Sequence, residues 1–226
     1  MAANVEPFHE PSGPTHVGGV ACRTRIPDGA GPYPLLILLH GFQGDENVTW
    51  IFTRAAGPEW LVISPRAPLR AADGYSWYTF DANGHTEPDS LFHGLDYLTA
   101  FIDAVKAHYP IDPARIVIGG FSQGGAMSYA YAFRHPDQVV GVISLAGFIP
   151  GPLSKVVPPL PALPILILHG TNDETISVEI ARKNRQTLIG AGAAVSYLED
   201  PVGHKVGAGG MRLLASWLAD RLRPTP

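Results

Sequence analysis

The chain has 226 residues, 46% of them hydrophobic and 16% charged, with a formal net charge of -4. That length and apolar content allow one α/β domain with a full core and exclude disorder as the main theme. The mild acidity leaves no basic footprint for nucleic acid or an anionic membrane. Cys22, the sole cysteine, cannot form an internal disulfide, and no uncharged apolar run approaches the ~20 residues of a membrane span.

Residues 1–14, rich in proline and small or polar residues, read as a loose arm, and 15–226 as a single domain. The N-terminus lacks both a basic start and an apolar stretch of the signal-peptide kind, so a cytoplasmic location is expected.

In chain order, Val17 to Ile26 reads as an edge strand or hairpin. Leu35–Leu39 is a short apolar run ending at His40-Gly41, the pattern of a strand buried on both faces. Trp60–Ile63, Arg115–Ile118, Val139–Leu145 and Ile165–Leu168 repeat it, each ending in Gly, Pro or small residues, and Val195–Leu198 reads as the last strand. Helical patterns fall between. Leu91, Leu95, Leu98, Ile102 and Val105 share one face, with Asp89 or Ser90 as cap and Pro110 as stop. Gln123 to His135, Ser177 to Ile189 and the Met211-Leu214-Leu218-Leu222 stripe, stopped by Pro224, give three more. Alternating strands and helices imply a mostly parallel sheet covered on both faces, with ligands beyond the carboxyl ends of its strands. The proline-rich stretch Leu153 to Pro164 is too short and broken for a large lid.

Gly120-Phe121-Ser122-Gln123-Gly124 follows one such strand and opens a helix, the context of a nucleophile elbow. By itself Gly-x-Ser-x-Gly is often only a turn; strand before and helix after give it weight. A serine hydroxyl needs a base oriented by a carboxylate, in the chain order Ser, acid, His on this kind of sheet. After Ser122 come His135, His169 and His204. His135 ends the nucleophile helix and is expected to be solvated there. His169 precedes the acid candidates. His204, in a loop after the last strand, is left as base. Beyond the strand ending at His169 lie Asp173 and Glu174; Asp173 is favoured for its shorter side chain, with Glu199 and Asp200 as later alternatives. Oxyanion donors map to the backbone amides of Gln123 and of Phe42 in His40-Gly41-Phe42-Gln43-Gly44. Their side chains are expected to matter mainly for packing, and His40 to brace the glycine loop.

Taken together, His40–Gly44, Gly120–Ser128, His169–Asp173 and Gly203-His204 resemble the phospholipase/carboxylesterase family of small α/β-hydrolases, which includes acyl-protein thioesterases. The similarity runs from about Val17 onward, and Phe121–Gly125 is its most specific signature. It implies an α/β-hydrolase fold without a large lid domain and metal-free hydrolysis of carboxylic esters or thioesters. It also implies Ser122, Asp173 and His204 as triad and Phe42 and Gln123 at the oxyanion hole. Tyr75-Ser76-Trp77-Tyr78 resembles an aromatic element beside the family's active site, which makes Trp77 and Tyr78 candidates for a substrate wall or for ordinary core. Thr79-Phe80-Asp81 and Glu174-Thr175-Ile176-Ser177 depart from the family pattern, and both departures bear on substrate preference.

The reading drawn from these residues is a serine carboxylesterase for short- to medium-chain esters. An acyl thioesterase or lysophospholipase on the same triad is the alternative, and a binding module on a retained hydrolase fold is the non-enzymatic one. The related dienelactone hydrolases use a cysteine nucleophile, whereas Cys22 lies in an edge strand. His85, Asp89 and His93 share a region without ligand geometry, so neither metal nor cofactor is expected. The expected partner is a small ester or thioester, without nucleic acid or stable membrane insertion; a homodimer stays open.

Overall fold

The computed structural model describes residues 15–223, so the arm expected over residues 1–14 and the stop at Pro224 lie outside the described residues. A short hairpin, β1 (Thr15–Val17) and β2 (Val20–Arg25), leads into β3 (Tyr33–Leu39) and β4 (Leu61–Pro65). A second hairpin, β5 (Leu69–Ala71) and β6 (Gly74–Ser76), precedes α1 (Pro88–His108). There follow β7 (Ile111–Phe121), α2 (Gln123–Arg134), β8 (Gly141–Leu145), β9 (Pro164–Gly170), α3 (Val178–Gly190), β10 (Ala194–Asp200) and α4 (Ala208–Asp220). Eight strands form one sheet in the order β1-β2-β4-β3-β7-β8-β9-β10. The hairpin pairs antiparallel within itself and onto β4, and every other pair is parallel.

The central strands are buried on both faces, which is why they read as continuous apolar runs rather than alternating ones. Leu35, Ile37, Ile118 and Ile167 point to the face covered by α1, α2 and α3. Leu36, Leu38, Val117 and Leu166 point to the other, where Leu214, Trp217 and Leu218 of α4 pack with Trp50 and Phe52. This is the α/β-hydrolase arrangement. Among the described residues the stretch after β8 forms one 3₁₀ turn at Gly151–Leu153 and coil, with no lid domain. No helix among them is long and apolar enough to cross a membrane.

Several boundaries differ from expectation. The cap of α1 is Glu87, with Pro88 at the first helical position; Ser90 is inside the helix and its hydroxyl accepts from the Thr79 amide. Strand β7 starts at Ile111, pairing with Tyr33 before a register shift that separates this contact from the main ladder. The 3₁₀ helix Val48–Ala55 and the β5–β6 hairpin were absent from the periodic pattern. Cys22 is buried in β2 beside Thr15 and Thr24, a packing position.

Candidate active site

Strands β7, β9 and β10 all end at one edge of the sheet, and the candidate residues leave from those ends. At the end of β7 the chain reverses into α2 through Ser122, at φ 52° and ψ -115°. Such a backbone costs about 1–3 kcal/mol for a side-chain-bearing residue and persists only where its surroundings fix it. Here the Ser122 amide donates to Leu145 O at 2.9 Å, and Ser122 O accepts from the Ala126 amide at 3.1 Å. The turn is tight enough that a Cβ at Gly120 would overlap the Gly124 backbone, and one at Gly124 the Leu39 carbonyl. Ser122 occupies the N-cap of α2, yet its hydroxyl caps no amide. Cap serines ordinarily use that hydroxyl on the first turn; this one is not spent there. The first-turn amides, Gln123 N among them, have no intrahelical partner and carry the positive end of the helix dipole.

Asp173 and His204 meet. The Nδ1 of His204 lies 2.7 Å from Asp173 Oδ2, while Asp173 Oδ1 accepts from the amides of Thr175 and Ile176, both at 2.9 Å. The Asp173 side chain is fully buried and that of His204 is 22% exposed. Burial pushes the carboxyl upward, but the Ile176 amide, His204 and the Thr175 amide together hold it below the ordinary carboxylate range. Donation from Nδ1–H leaves the other ring nitrogen of His204 as the acceptor. Its ring packs on Phe121, the neighbour of Ser122, with centroids 4.8 Å apart. The loops carrying Asp173 and His204 are also tied through backbone, Thr171 N to Asp200 O at 2.8 Å and Asn172 N to Val202 O at 3.0 Å.

The other candidates are engaged elsewhere. Glu174 is exposed. Glu199 is held by Arg182 and Tyr197, and Asp200 accepts from the Gly210 amide at the start of α4. His169 is buried; its Nε2–H donates to Ile176 O at 2.8 Å and lies 3.4 Å from Asp173 Oδ2, behind the acid. His135 is half-buried rather than solvated, with Nε2 3.2 Å from the Thr99 hydroxyl. His85 faces Asp81, not Asp89 or His93.

The loop carrying Phe42 is braced from several directions. His40 is fully buried. Its Nε2 accepts from the Ala67 amide at 3.0 Å and its Nδ1–H donates to Gly41 O at 2.7 Å. That arrangement requires the neutral ring, and burial lowers its pKa accordingly. Gln43 adopts φ 62°, and its amide donates to Tyr75 O at 2.9 Å. Past it, Glu46 and Arg66 form a bidentate pair at 2.7 and 2.6 Å, and Arg66 also reaches the Tyr75 hydroxyl at 3.1 Å. Sequence reading passed over Glu46 and Arg66, whose separation along the chain leaves no local signal.

Two expectations need correction. Trp77 and Tyr78 are both 0% exposed, so they belong to the core and not to a substrate wall. The aromatic surface beside the elbow is Phe42, 47% exposed, meeting Phe80 edge-on at 5.7 Å. The Gln123 side chain does more than pack: it accepts from Trp77 N at 3.0 Å and donates to Tyr78 O and the Ser76 hydroxyl at 2.9 Å each.

Known proteins share this fold and part of this sequence. The carboxylesterase of Bacillus cereus superposes with a TM-score of 0.81 over 91% of this chain and 96% of its own, at 21% identity, a likeness of fold. Carboxylesterase SOBER1 of Arabidopsis thaliana is 26% identical over 197 residues, covering 80% of this chain and 82% of that one. Acyl-protein thioesterase 1 of Yarrowia lipolytica is 27% identical over 185 residues, covering 73% and 80%. A match to NocK of Nocardia uniformis, at 30% identity, takes in 66% of this chain but only 41% of NocK. The sequence profile described as Phospholipase/Carboxylesterase matches residues 26–220, spanning the elbow, the Asp173–His204 pair and the Phe42 loop alike, and the chain belongs to that family.

Proposed function

We propose that this protein is a serine carboxylesterase acting on short- to medium-chain carboxylic esters through an acyl-enzyme on Ser122. The observation that carries the reading is the 2.7 Å contact of His204 with a buried Asp173, made by an imidazole packed on the residue before a strained, uncapping serine. His204 takes the Ser122 proton through Nε2 as the hydroxyl attacks the ester carbonyl. Asp173, kept ionised, holds the tautomer and stabilises the imidazolium. Charge on the tetrahedral oxygen gathers at the amides of Phe42 and Gln123, where preorganised donors cost no reorganisation. His204 then protonates the leaving alcohol, and later activates the water that releases the acid. The open, lid-poor surface with Phe42 and Phe80 favours acyl groups of modest length over a long chain that needs enclosure.

A fluorophosphonate probe tests the chemistry: it labels the folded protein and spares Ser122→Ala, and an unlabelled folded wild type overturns the proposal. Across nitrophenyl esters of increasing chain length, turnover peaks among the short and medium members. The second reading, hydrolysis of acyl thioesters, draws on the name of the Yarrowia relative. It prevails if matched thioesters outpace oxygen esters.

A further inference from the structure

We infer that the segment Tyr75–Tyr78 is a crossbar fixing the gap between the two oxyanion-hole amides, with the Gln123 side chain as the pin that joins it to the elbow; this rests on the acyl-transfer reading above. The ladder between β3 and β7 runs out at the Leu39–Gly120 pair. Beyond it the Phe42 loop and the Ser122 elbow meet by close packing, Gly41 against Phe121 and Ser122 and Gly124 against Leu39 and His40. The crossbar adds directional hydrogen bonds to both. On the Phe42 side, Gln43 N donates to Tyr75 O and Tyr75 N to Gly44 O, both at 2.9 Å. The Trp77 indole donates to His40 O at 2.8 Å, so Phe42 is tethered on either side.

On the elbow side, Trp77 N can only donate and Tyr78 O can only accept, which fixes the orientation of the Gln123 amide: Oε1 toward Trp77, Nε2 toward Tyr78. The Ser76 hydroxyl accepts from the same Nε2 and passes its own proton to Tyr78 O at 2.6 Å. At 1% exposure Gln123 has no water to substitute for these partners. The crossbar cannot retreat, because α1 packs on its backbone: a Cβ at Gly94 would overlap Trp77 O. Nor can it swing from the Phe42 loop, where a Cβ at Gly74 would overlap Gln43 O. Gln123 thus contributes twice, its backbone as donor and its side chain as a positioning group for the other donor.

The test is Gln123→Met, which keeps side-chain length and removes both polar ends. Active sites are counted by stoichiometric fluorophosphonate titration, and kcat is expressed per titrated Ser122. Losing one oxyanion donor outright costs roughly 10²–10³ in turnover. Displacing one should cost about 10- to 100-fold in kcat with KM changed by no more than about 3-fold, on the same scale. The Ki of an alkyl trifluoromethyl ketone, whose adduct with Ser122 places an oxyanion in the hole, should rise in parallel. A merely structural role would lower the number of titratable sites and leave kcat per site and Ki unchanged; that result overturns the inference. If Gln123→Met does not fold, Ser76→Ala removes one link and keeps the Gln123 bonds to Trp77 and Tyr78. A smaller fall of kcat per site with the same Ki trend supports the crossbar, and an unchanged kcat per site overturns it. A wild type that does not label rejects acyl transfer itself, a distinguishable failure.

Discussion

Asp173→Asn is nearly isosteric, yet the turn around Asp173 makes it the most informative change at this site. The amides of Thr175 and Ile176 both point at Oδ1 at 2.9 Å, so the carboxamide oxygen is compelled to take that place. Its NH₂ then occupies the Oδ2 position, 2.7 Å from His204 Nδ1 and 3.4 Å from His169 Nε2. Two donors cannot face one another, so His204 must present a lone pair at Nδ1 and carry its proton on Nε2. The nitrogen proposed to accept the Ser122 proton is then already protonated. In the Ser-His-Asp template this wrong tautomer lowers kcat by roughly 10⁴-fold. Stability should suffer little, since the turn bonds survive and only their charge assistance is lost, about 1–2 kcal/mol. Asp173→Ala removes the turn bonds as well, and should lose activity to a similar degree with a larger drop in melting temperature. The assay is nitrophenyl ester turnover per titrated serine, beside thermal melts of both variants. An Asn variant within 10-fold of wild type, folded and titratable, would refute the tautomer argument.

Two further outcomes follow from the same geometry. Gly124→Ala places a methyl against the Leu39 carbonyl at the tightest point of the elbow; the variant should be strongly destabilised, by more than about 2 kcal/mol in urea unfolding, with ester turnover lost. Stability should also fall with acid in two stages. Buried neutral His40, and half-buried His135, have pKa values lowered by burial, so the unfolded chain binds more protons below about 6.5 and stability declines from there downward. Asp173, held low, contributes stability that is full above about pH 4 and lost only as pH falls further. Urea midpoints between pH 8 and 5 should therefore decline for wild type and flatten for His40→Gln; equal slopes would reject the His40 contribution.

Much of the frame was legible because the central strands are apolar on both faces and α1 on one. Leu35–Leu39 and the Leu91–Val105 stripe advertise their burial by spacing alone. The 3₁₀ helix at Val48–Ala55 has no helical period to read, and β5 and β6 are only three residues each. The order serine, acid, histidine could be read along the chain, and the short side chain favoured Asp173 among four carboxylates. The turn that buries Asp173 while Glu174 faces solvent could not be read there. Trp77 and Tyr78 gave an ambiguous sign, since aromatic residues suit a core and a cleft equally well. The Gln123 links and the Glu46–Arg66 pair join residues 20 or more positions apart, and no local pattern anticipates such contacts.

Strand β8 supplies no side chain to the proposed chemistry, yet its tip stands between the elbow and the acid–base loops. Leu145 O receives the Ser122 amide at 2.9 Å, and the next residue, Ala146, at φ 49°, gives its amide to Leu168 O at 2.8 Å on β9. A single peptide group, Leu145–Ala146, thus acts as a gauge block between the elbow and the strand that leads to Asp173. That spacing is set by the main chain. Under the proposed function, substitutions at Phe42 or Phe80 should change which ester is admitted while this main-chain spacing stays the same.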